Sequence, residues 1–230
     1  MSIKSKVFAV AATITMVGGV SAAGLVHADA STGSCVNNCL NVYGEEYGDS
    51  PGFVLDVFRQ TENIGQPLIL FRASNTDPAE DFIILDKGTV RHDFRYGMVS
   101  TQVFHRYTNY EAYEVEYAPY GVDSGLCMGV ASTPVDNTPV ALETCGASPM
   151  TTWVVDAPVP DLVFYPWING AQTNSTNPYV LRYPANAYPT DIPRMQLNTY
   201  ALQHYTDGTF PTNVYSNEMW AGLDPAAPPT

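Results

Sequence analysis

The sequence predicts an all-β domain that follows a removable export leader. Short runs such as FVLDVF, LILF, FIIL and YEVEY are β-branched or aromatic and are bounded by Gly, Pro, Asn and Asp, which favours strands and turns. Outside the leader, the chain shows no amphipathic helical stretch of useful length. A pattern of strand start, turn, leucine and aromatic residue recurs three times, which indicates a repeat architecture.

Residues 1–30 have the three parts of a secretory signal peptide. Two lysines precede an apolar run of small residues, and sites of the A-x-A type follow it. A membrane anchor is the alternative, but glycines weaken this helix and no cationic stop-transfer segment follows it. We therefore expect a secreted, extracellular protein, cleaved after Ala28 or Ala30.

The mature chain is acidic and long enough for one domain with a sizeable core. About 200 residues remain after cleavage. Eight basic and 22 or 23 acidic residues leave a net charge of about −14 or −15. This charge argues against nucleic acid or an anionic membrane surface as a partner, and mainly keeps an exported protein soluble.

All four cysteines lie in the mature chain. An even number in an exported protein argues for disulfides, although four cysteines allow three pairings. The close spacings favour Cys35 with Cys39, in an N-terminal segment at 31–50, and Cys127 with Cys145. The run CVNNC is interpreted as a small disulfide loop, and DPAEDF lacks the glycine and ligand spacing of a calcium loop. We expect neither a cofactor nor a metal ion.

The repeats occupy residues 51–222, in copies at about 51–105, 121–165 and 177–222, before a proline-rich tail at 223–230. Each copy has a strand-start residue, a key leucine and a closing aromatic: Val54, Leu70 and Phe82; Cys127, Leu142 and Trp153; Val180, Leu197 and Trp220. The interval from strand start to leucine is 16, 15 and 17 residues, and a proline precedes each leucine by three or four positions. One copy has too few strands to bury its apolar face alone, so we expect these residues to form one shared core.

The middle copy, LCMGVASTPVDNTPVALETC followed by TTW, resembles the ricin B-type lectin repeat. Three such repeats form a β-trefoil, and the resemblance implies a non-catalytic carbohydrate-binding protein with a disulfide inside this copy. The glutamine of the family's Q-x-W triplet is replaced by Glu80, Thr151 and Glu218. The resemblance covers most of residues 51–222 if inserts are allowed at about 86–120 and 201–216.

The resemblance implies a sugar site in the first copy. Family members use an aspartate two positions after the strand start to accept hydrogen bonds from sugar hydroxyls, and an aromatic after the key leucine to stack on the sugar ring. Those positions hold Asp56 and Phe71. Ala79 stands at the family's asparagine position, with Asn75 and Glu80 nearby as substitutes. A solvated turn carboxylate and a packing aromatic are the alternative interpretations.

The other two copies depart from the pattern. The second copy has Gly129 and Glu143 at the aspartate and aromatic positions. The third copy has Arg182 and Asn198 there, although Asn217 precedes its closing triplet. We therefore expect at most one intact sugar site.

Two other classes of protein stay open. A small secreted hydrolase could use Asp49 and Ser50 in YGDSPG, but no G-x-S-x-G elbow is present. Glu114 and Glu116 lie on one face of a predicted strand and are expected to be solvated. A protein-interaction or inhibitor-type trefoil could use the insert around 91–120, which is rich in Tyr, Phe and Arg. The alternative for this insert is an ordinary barrel strand and hairpin cap.

Overall fold

The protein folds into twelve β-strands and two short α-helices within the part of the chain that the computed structural model describes. The described residues are 39–45, 52–74, 76–146, 148–156, 164–174, 177–183, 194–199 and 216–223. The predicted leader, Cys35 and most of the predicted tail lie outside them. The strands are β1 (Asn41–Gly44), β2 (Phe53–Val57), β3 (Leu68–Arg72), β4 (Phe82–Thr89), β5 (Glu111–Tyr117), β6 (Leu126–Gly129), β7 (Ala141–Thr144), β8 (Trp153–Val155), β9 (Trp167–Asn169), β10 (Tyr179–Arg182), β11 (Gln196–Thr199) and β12 (Trp220–Leu223).

The strands form a β-trefoil, as predicted. Antiparallel pairs β12–β1, β4–β5 and β8–β9 join one four-stranded repeat to the next and close a barrel. Within each repeat the first and fourth strands also meet, through β5–β8 and through single bridges at Leu40–Phe82 and Tyr165–Trp220. The remaining strands form the hairpins β2–β3, β6–β7 and β10–β11.

A ring of backbone hydrogen bonds shows the threefold relation of the hairpins directly. Leu68 N donates to Val140 O at 3.2 Å, Val140 N donates to Met195 O at 3.0 Å, and Met195 N donates back to Leu68 O at 2.9 Å. Each of these residues lies two positions before the key leucine of its repeat. A closed ring of equivalent bonds requires three equivalent segments around one axis, so the repeat prediction is confirmed.

The closing aromatics are equivalent in their surroundings as well as in sequence. Phe82, Trp153 and Trp220 are fully buried in one hydrophobic cluster. Trp153 Nε1 donates to Met128 O and Trp220 Nε1 donates to Leu181 O, both at 2.9 Å. The two carbonyls belong to the same position of β6 and β10. The three aromatic rings therefore occupy matching places in the shared interior.

All nine predicted core residues are buried, but strand alternation divides them between faces. Leu55 and Leu181 point into the main cluster, whereas their neighbours Val54 and Val180 belong to separate clusters on the outer faces. Successive side chains of a strand point to opposite sides, so a strand start and the next residue cannot share one core. Cys127 lies on the same outer position and is joined to Cys145, with Cα atoms 4.9 Å apart.

The mature sequence shows no amphipathic stretch of useful length, and two short helices that the sequence does not predict form there. Between β4 and β5 the chain forms α1 (Val90–Arg95) and α2 (Thr101–Tyr107), whose first turns are capped by the Thr89 and Ser100 hydroxyls. Helices of six and seven residues are too short to show a 3.6-residue period. They cover an outer cluster that includes Val154. In the described part of the chain, no helix is long and apolar enough to cross a membrane.

Candidate functional site

Each repeat brings together the same two positions beside its outer face. One position lies two residues after the strand start, and the other is the first residue of the closing triplet, at the end of a short 3-10 turn. The pairs, in repeat order, are Asp56 with Glu80, Gly129 with Thr151, and Arg182 with Glu218. The chemistry of each pair decides whether that repeat can receive a ligand.

The second repeat has no room for a side chain at the aspartate position. A Cβ atom added to Gly129 would lie 2.9 Å from Thr151 Cγ2 and 3.1 Å from Met150 O. Thr151 is itself held in place, because its hydroxyl donates to the buried Glu114 carboxylate at 2.6 Å. The neighbouring turn therefore closes this position.

The third repeat fills this position with an ion pair between its own residues. Arg182 Nη1 lies 3.7 Å from Glu218 Oε1, and both side chains are largely buried. Asn217 Nδ2 donates to Tyr183 O at 2.8 Å, so this asparagine holds the backbone of its own repeat. The side chain of Asn198 lies outside the described residues.

The first repeat places Asp56 and Phe71 on one outward face of the β2–β3 hairpin. Asp56 pairs with Ile69, and Val54 pairs with Phe71. Residues directly opposite each other on paired strands share a face, as do residues two positions apart on one strand. Asp56 and Phe71 are therefore diagonal neighbours, whose Cα atoms are typically about 7–8 Å apart. Phe71 is 38% exposed, whereas Asp56 is only 4% exposed. No described residue donates a hydrogen bond to the Asp56 carboxylate.

The predicted helper residues differ in what the structure shows of them. Both Glu80 carboxylate oxygens accept from Ser74 N, at 3.0 and 3.1 Å, and Asn41 Nδ2 adds a bond of 3.2 Å to Oε2. Glu80 thus holds the loop before β4 against β1. Asn75 lies outside the described residues.

The carboxylates around Asp56 make this corner strongly negative. One oxygen from each of Asp56, Asp77 and Glu80 lies within 4.8 Å of the others. Two charges at 4.8 Å repel by about 3.5 kcal/mol if the effective dielectric constant is about 20. Burial raises the pKa of Asp56 to about 8, and the nearby Asp77 and Glu80 contribute to that rise. Sequence reasoning missed Asp77 because its position matters only once the loop before β4 folds against β2.

The expectation that Glu114 and Glu116 are solvated was wrong. Both are buried in β5. Glu114 pairs with Lys87 Nζ at 2.7 Å and accepts from Gly146 N at 2.6 Å, while Glu116 accepts from Gly125 N at 2.7 Å. Both carboxylates are buried because β5 is covered on one face by the trefoil and on the other by its insert. Their hydrogen bonds hold the ends of the disulfide-linked hairpin in place.

Comparison with known proteins supports the β-trefoil fold alone. No protein-family model and no curated protein matches the chain. A designed threefold-symmetric protein, ThreeFoil, aligns with a TM-score of 0.52 at 14% identity, over 81% of this chain and 98% of its own. The exo-β-1,3-galactanase 1,3Gal43A from Clostridium thermocellum aligns with a TM-score of 0.53 at 11% identity, over 80% of this chain. This chain spans 30% of the galactanase. At such identities, the likeness shows the β-trefoil fold alone.

Proposed function

We propose that the protein is a secreted, non-catalytic carbohydrate-binding trefoil of the ricin B type, with one sugar site at Asp56 and Phe71. The observation that carries this proposal is the shared outward face of the two residues. Asp56 receives no hydrogen bond from any described residue, and Phe71 leaves more than a third of its surface exposed. An unpaired carboxylate beside an exposed ring is a suitable pair of groups for a sugar.

The chemistry of the two side chains is complementary. The Asp56 carboxylate can accept hydrogen bonds from two neighbouring sugar hydroxyls, and such bonds to a charged group are strong. The Phe71 ring can cover the apolar C–H face of the same sugar at a low entropy cost. Hydroxyl donors favour the ionised form of a carboxyl group, so sugar binding opposes the raised pKa of Asp56.

Two further features support a single carbohydrate site. Gly129 and Arg182 occupy the position in their repeats that Asp56 occupies in the first. Thr151 closes the space beside Gly129, and Arg182 is paired with Glu218. The galactanase that shares the fold acts on a polysaccharide, which agrees with a carbohydrate role for this trefoil.

The proposal is tested by a glycan array and polysaccharide pull-down. Wild type should bind at least one glycan class, and Asp56→Ala should weaken that binding by about 10-fold or more, since a hydrogen bond to a charged group contributes roughly 1.5–3 kcal/mol. Phe71→Ala should also weaken it. Asp123→Ala changes an exposed carboxylate elsewhere and should leave binding unchanged. No binding to any glycan by the wild type would contradict the proposal.

Secretion rests on the predicted leader and on the oxidised cysteines. Cys127 and Cys145 are joined, Cys39 is also disulfide-bonded, and disulfides persist in oxidising compartments. The mature protein should be recovered outside the cell, with a mass that corresponds to cleavage after Ala28 or Ala30. A retained leader or free thiols in the native protein would count against this part of the proposal.

A protein-binding trefoil is the second candidate, and the helical insert favours it. The exposed side chains here include Arg91 and Arg95 of α1 and Tyr96 directly after it, and Tyr96 is 71% exposed. Tyrosine and arginine are enriched at binding hot spots. The second half of the predicted insert is instead the barrel strand β5. This candidate would be favoured if the wild type crosslinked to a protein in the native secretome, Tyr96→Ala abolished that crosslink, and the wild type bound no glycan.

A small hydrolase is the third candidate. Its proposed residues, Asp49 and Ser50, lie outside the described residues. Turnover of generic ester, peptide or glycoside substrates, abolished by Ser50→Ala, would support it over both binding proposals.

A further inference from the structure

The corner that contains Asp56 has the dimensions of a cation site. One carboxylate oxygen from each of Asp56, Asp77 and Glu80 lies within 4.8 Å of the other two. Calcium binds oxygen at about 2.3–2.6 Å, so one ion spans oxygens up to about 5 Å apart. One divalent cation can therefore contact all three oxygens. A set of several protein carboxylates favours calcium over magnesium, which gives up its water molecules reluctantly.

A neutral oxygen beside the carboxylates has no hydrogen-bond partner. The side-chain oxygen of Asn41 is buried and lacks a donor in the described part of the chain. Asn41 Nδ2 donates to Glu80 Oε2 at 3.2 Å, so the same amide group lies against the cluster. Buried polar atoms normally have partners, so the Asn41 oxygen indicates a ligand that the chain itself does not supply.

We propose that Asp56, Asp77 and Glu80 bind one divalent cation of calcium's size. Asn41 supplies a neutral amide oxygen, which is an ordinary calcium ligand. The proposed ion shares Asp56 with the sugar site but does not involve Phe71, so Phe71→Ala should weaken sugar binding and leave calcium binding unchanged.

The proposed ligands are already held in position by the chain. Asp56 lies in the middle of β2, opposite Ile69 of β3. Asp77 Oδ1 accepts from Ala79 N at 3.0 Å and so caps the 3-10 turn Pro78–Glu80. Glu80, at the end of that turn, is fixed by the bonds from Ser74 N. Rigid ligands from two segments lower the ordering cost of binding an ion.

A metal ion here departs from the expectation that the sequence alone supports. Two of the ligands, Asp77 and Glu80, belong to DPAEDF, which lacks the glycine and spacing of a continuous calcium loop. The third ligand, Asp56, comes from 21 residues earlier and joins them only when β2 packs against this turn. A search for local motifs cannot find a site assembled in this way.

The test uses terbium and calcium on the mature protein. Terbium should give luminescence sensitised by the chain's aromatic residues, and calcium should displace it with a Kd of about 10⁻⁴–10⁻³ M, the range of extracellular calcium modules. Calorimetry should give one calcium per chain, and excess chelator should lower the melting temperature by a few degrees. Magnesium should compete at least about 10-fold less well because it gives up its water molecules reluctantly.

Matched substitutions locate the ion. Asp56→Asn and Asp77→Asn keep the side-chain shape and remove charge from the corner, so each should weaken calcium binding by about 10-fold or more. Asp123→Asn, at an exposed position, should leave binding unchanged. Absence of calcium binding by the wild type, or unchanged binding in both Asp56→Asn and Asp77→Asn, would overturn the proposal.

Discussion

Replacing Trp153 with phenylalanine removes one buried hydrogen bond while keeping an aromatic ring at the centre of the trefoil. The lost bond joins Trp153 Nε1 to Met128 O at 2.9 Å, and its loss costs about 1–3 kcal/mol when the carbonyl remains buried. The missing part of the indole ring adds a cavity cost of about 1 kcal/mol. We therefore expect Trp153→Phe to lower the free energy of unfolding by about 2–4 kcal/mol. Trp220→Phe should cost the same, because its bond to Leu181 O is equivalent.

The measurement is urea or thermal denaturation of the two variants beside the wild type. For a domain of this size, each kcal/mol shifts the melting temperature by about 2–4 °C, so both variants should melt at least about 4 °C lower. Tyr96→Phe removes an exposed hydroxyl and should have no measurable effect. If either tryptophan variant were as stable as the wild type, or if their costs differed by more than about 2 kcal/mol, the threefold equivalence of these bonds would be wrong.

Three further outcomes follow from the buried charges and the disulfide. In excess chelator, the folded state binds a proton at Asp56 more tightly than the unfolded chain does, because folding raises the pKa of Asp56 to about 8. This contribution to stability is complete below about pH 4 and is lost as the pH rises towards 8. The free energy of unfolding measured in urea should therefore fall by at most about 4 kcal/mol from pH 5 to pH 8, and Asp56→Asn should flatten the profile; an unchanged slope would contradict this. Replacing Cys127 and Cys145 together with serine opens a loop of 18 residues and should cost about 3 kcal/mol, checked against reduced wild type. Lys87→Ala leaves the fully buried Glu114 carboxylate without its ion-pair partner and should cost about 3–5 kcal/mol by thermal melting.

Much of the fold could be predicted because its signals are local. The interval between strand start and key leucine stays close to 16 residues in each repeat, and a buried aromatic follows. These residues recur in order, so three copies could be recognised without any knowledge of contacts. The pairing of Cys127 with Cys145 was predictable for the same reason, because both cysteines lie in one hairpin.

The candidate site was only partly predictable. Asp56 and Phe71 could be named from their positions in the repeat, but the burial of Asp56 depends on how tightly the loop before β4 covers it. The helical insert and the buried state of Glu114 were missed, because short helices show no clear period and alternation does not reveal whether both faces of a strand are covered.

The sequence by itself determined the β-strands, the three repeats, their core aromatics and the disulfide, because spacing, turn residues and alternation act over short stretches of chain. Only the tertiary structure decided which charges meet. Asp56 lies beside Asp77 and Glu80, Arg182 beside Glu218, and Thr151 against Gly129, because closing the barrel folds each 3-10 turn back over its own hairpin. Equivalent backbone positions thus acquire different chemistry, and that chemistry depends on contacts between residues more than 20 positions apart.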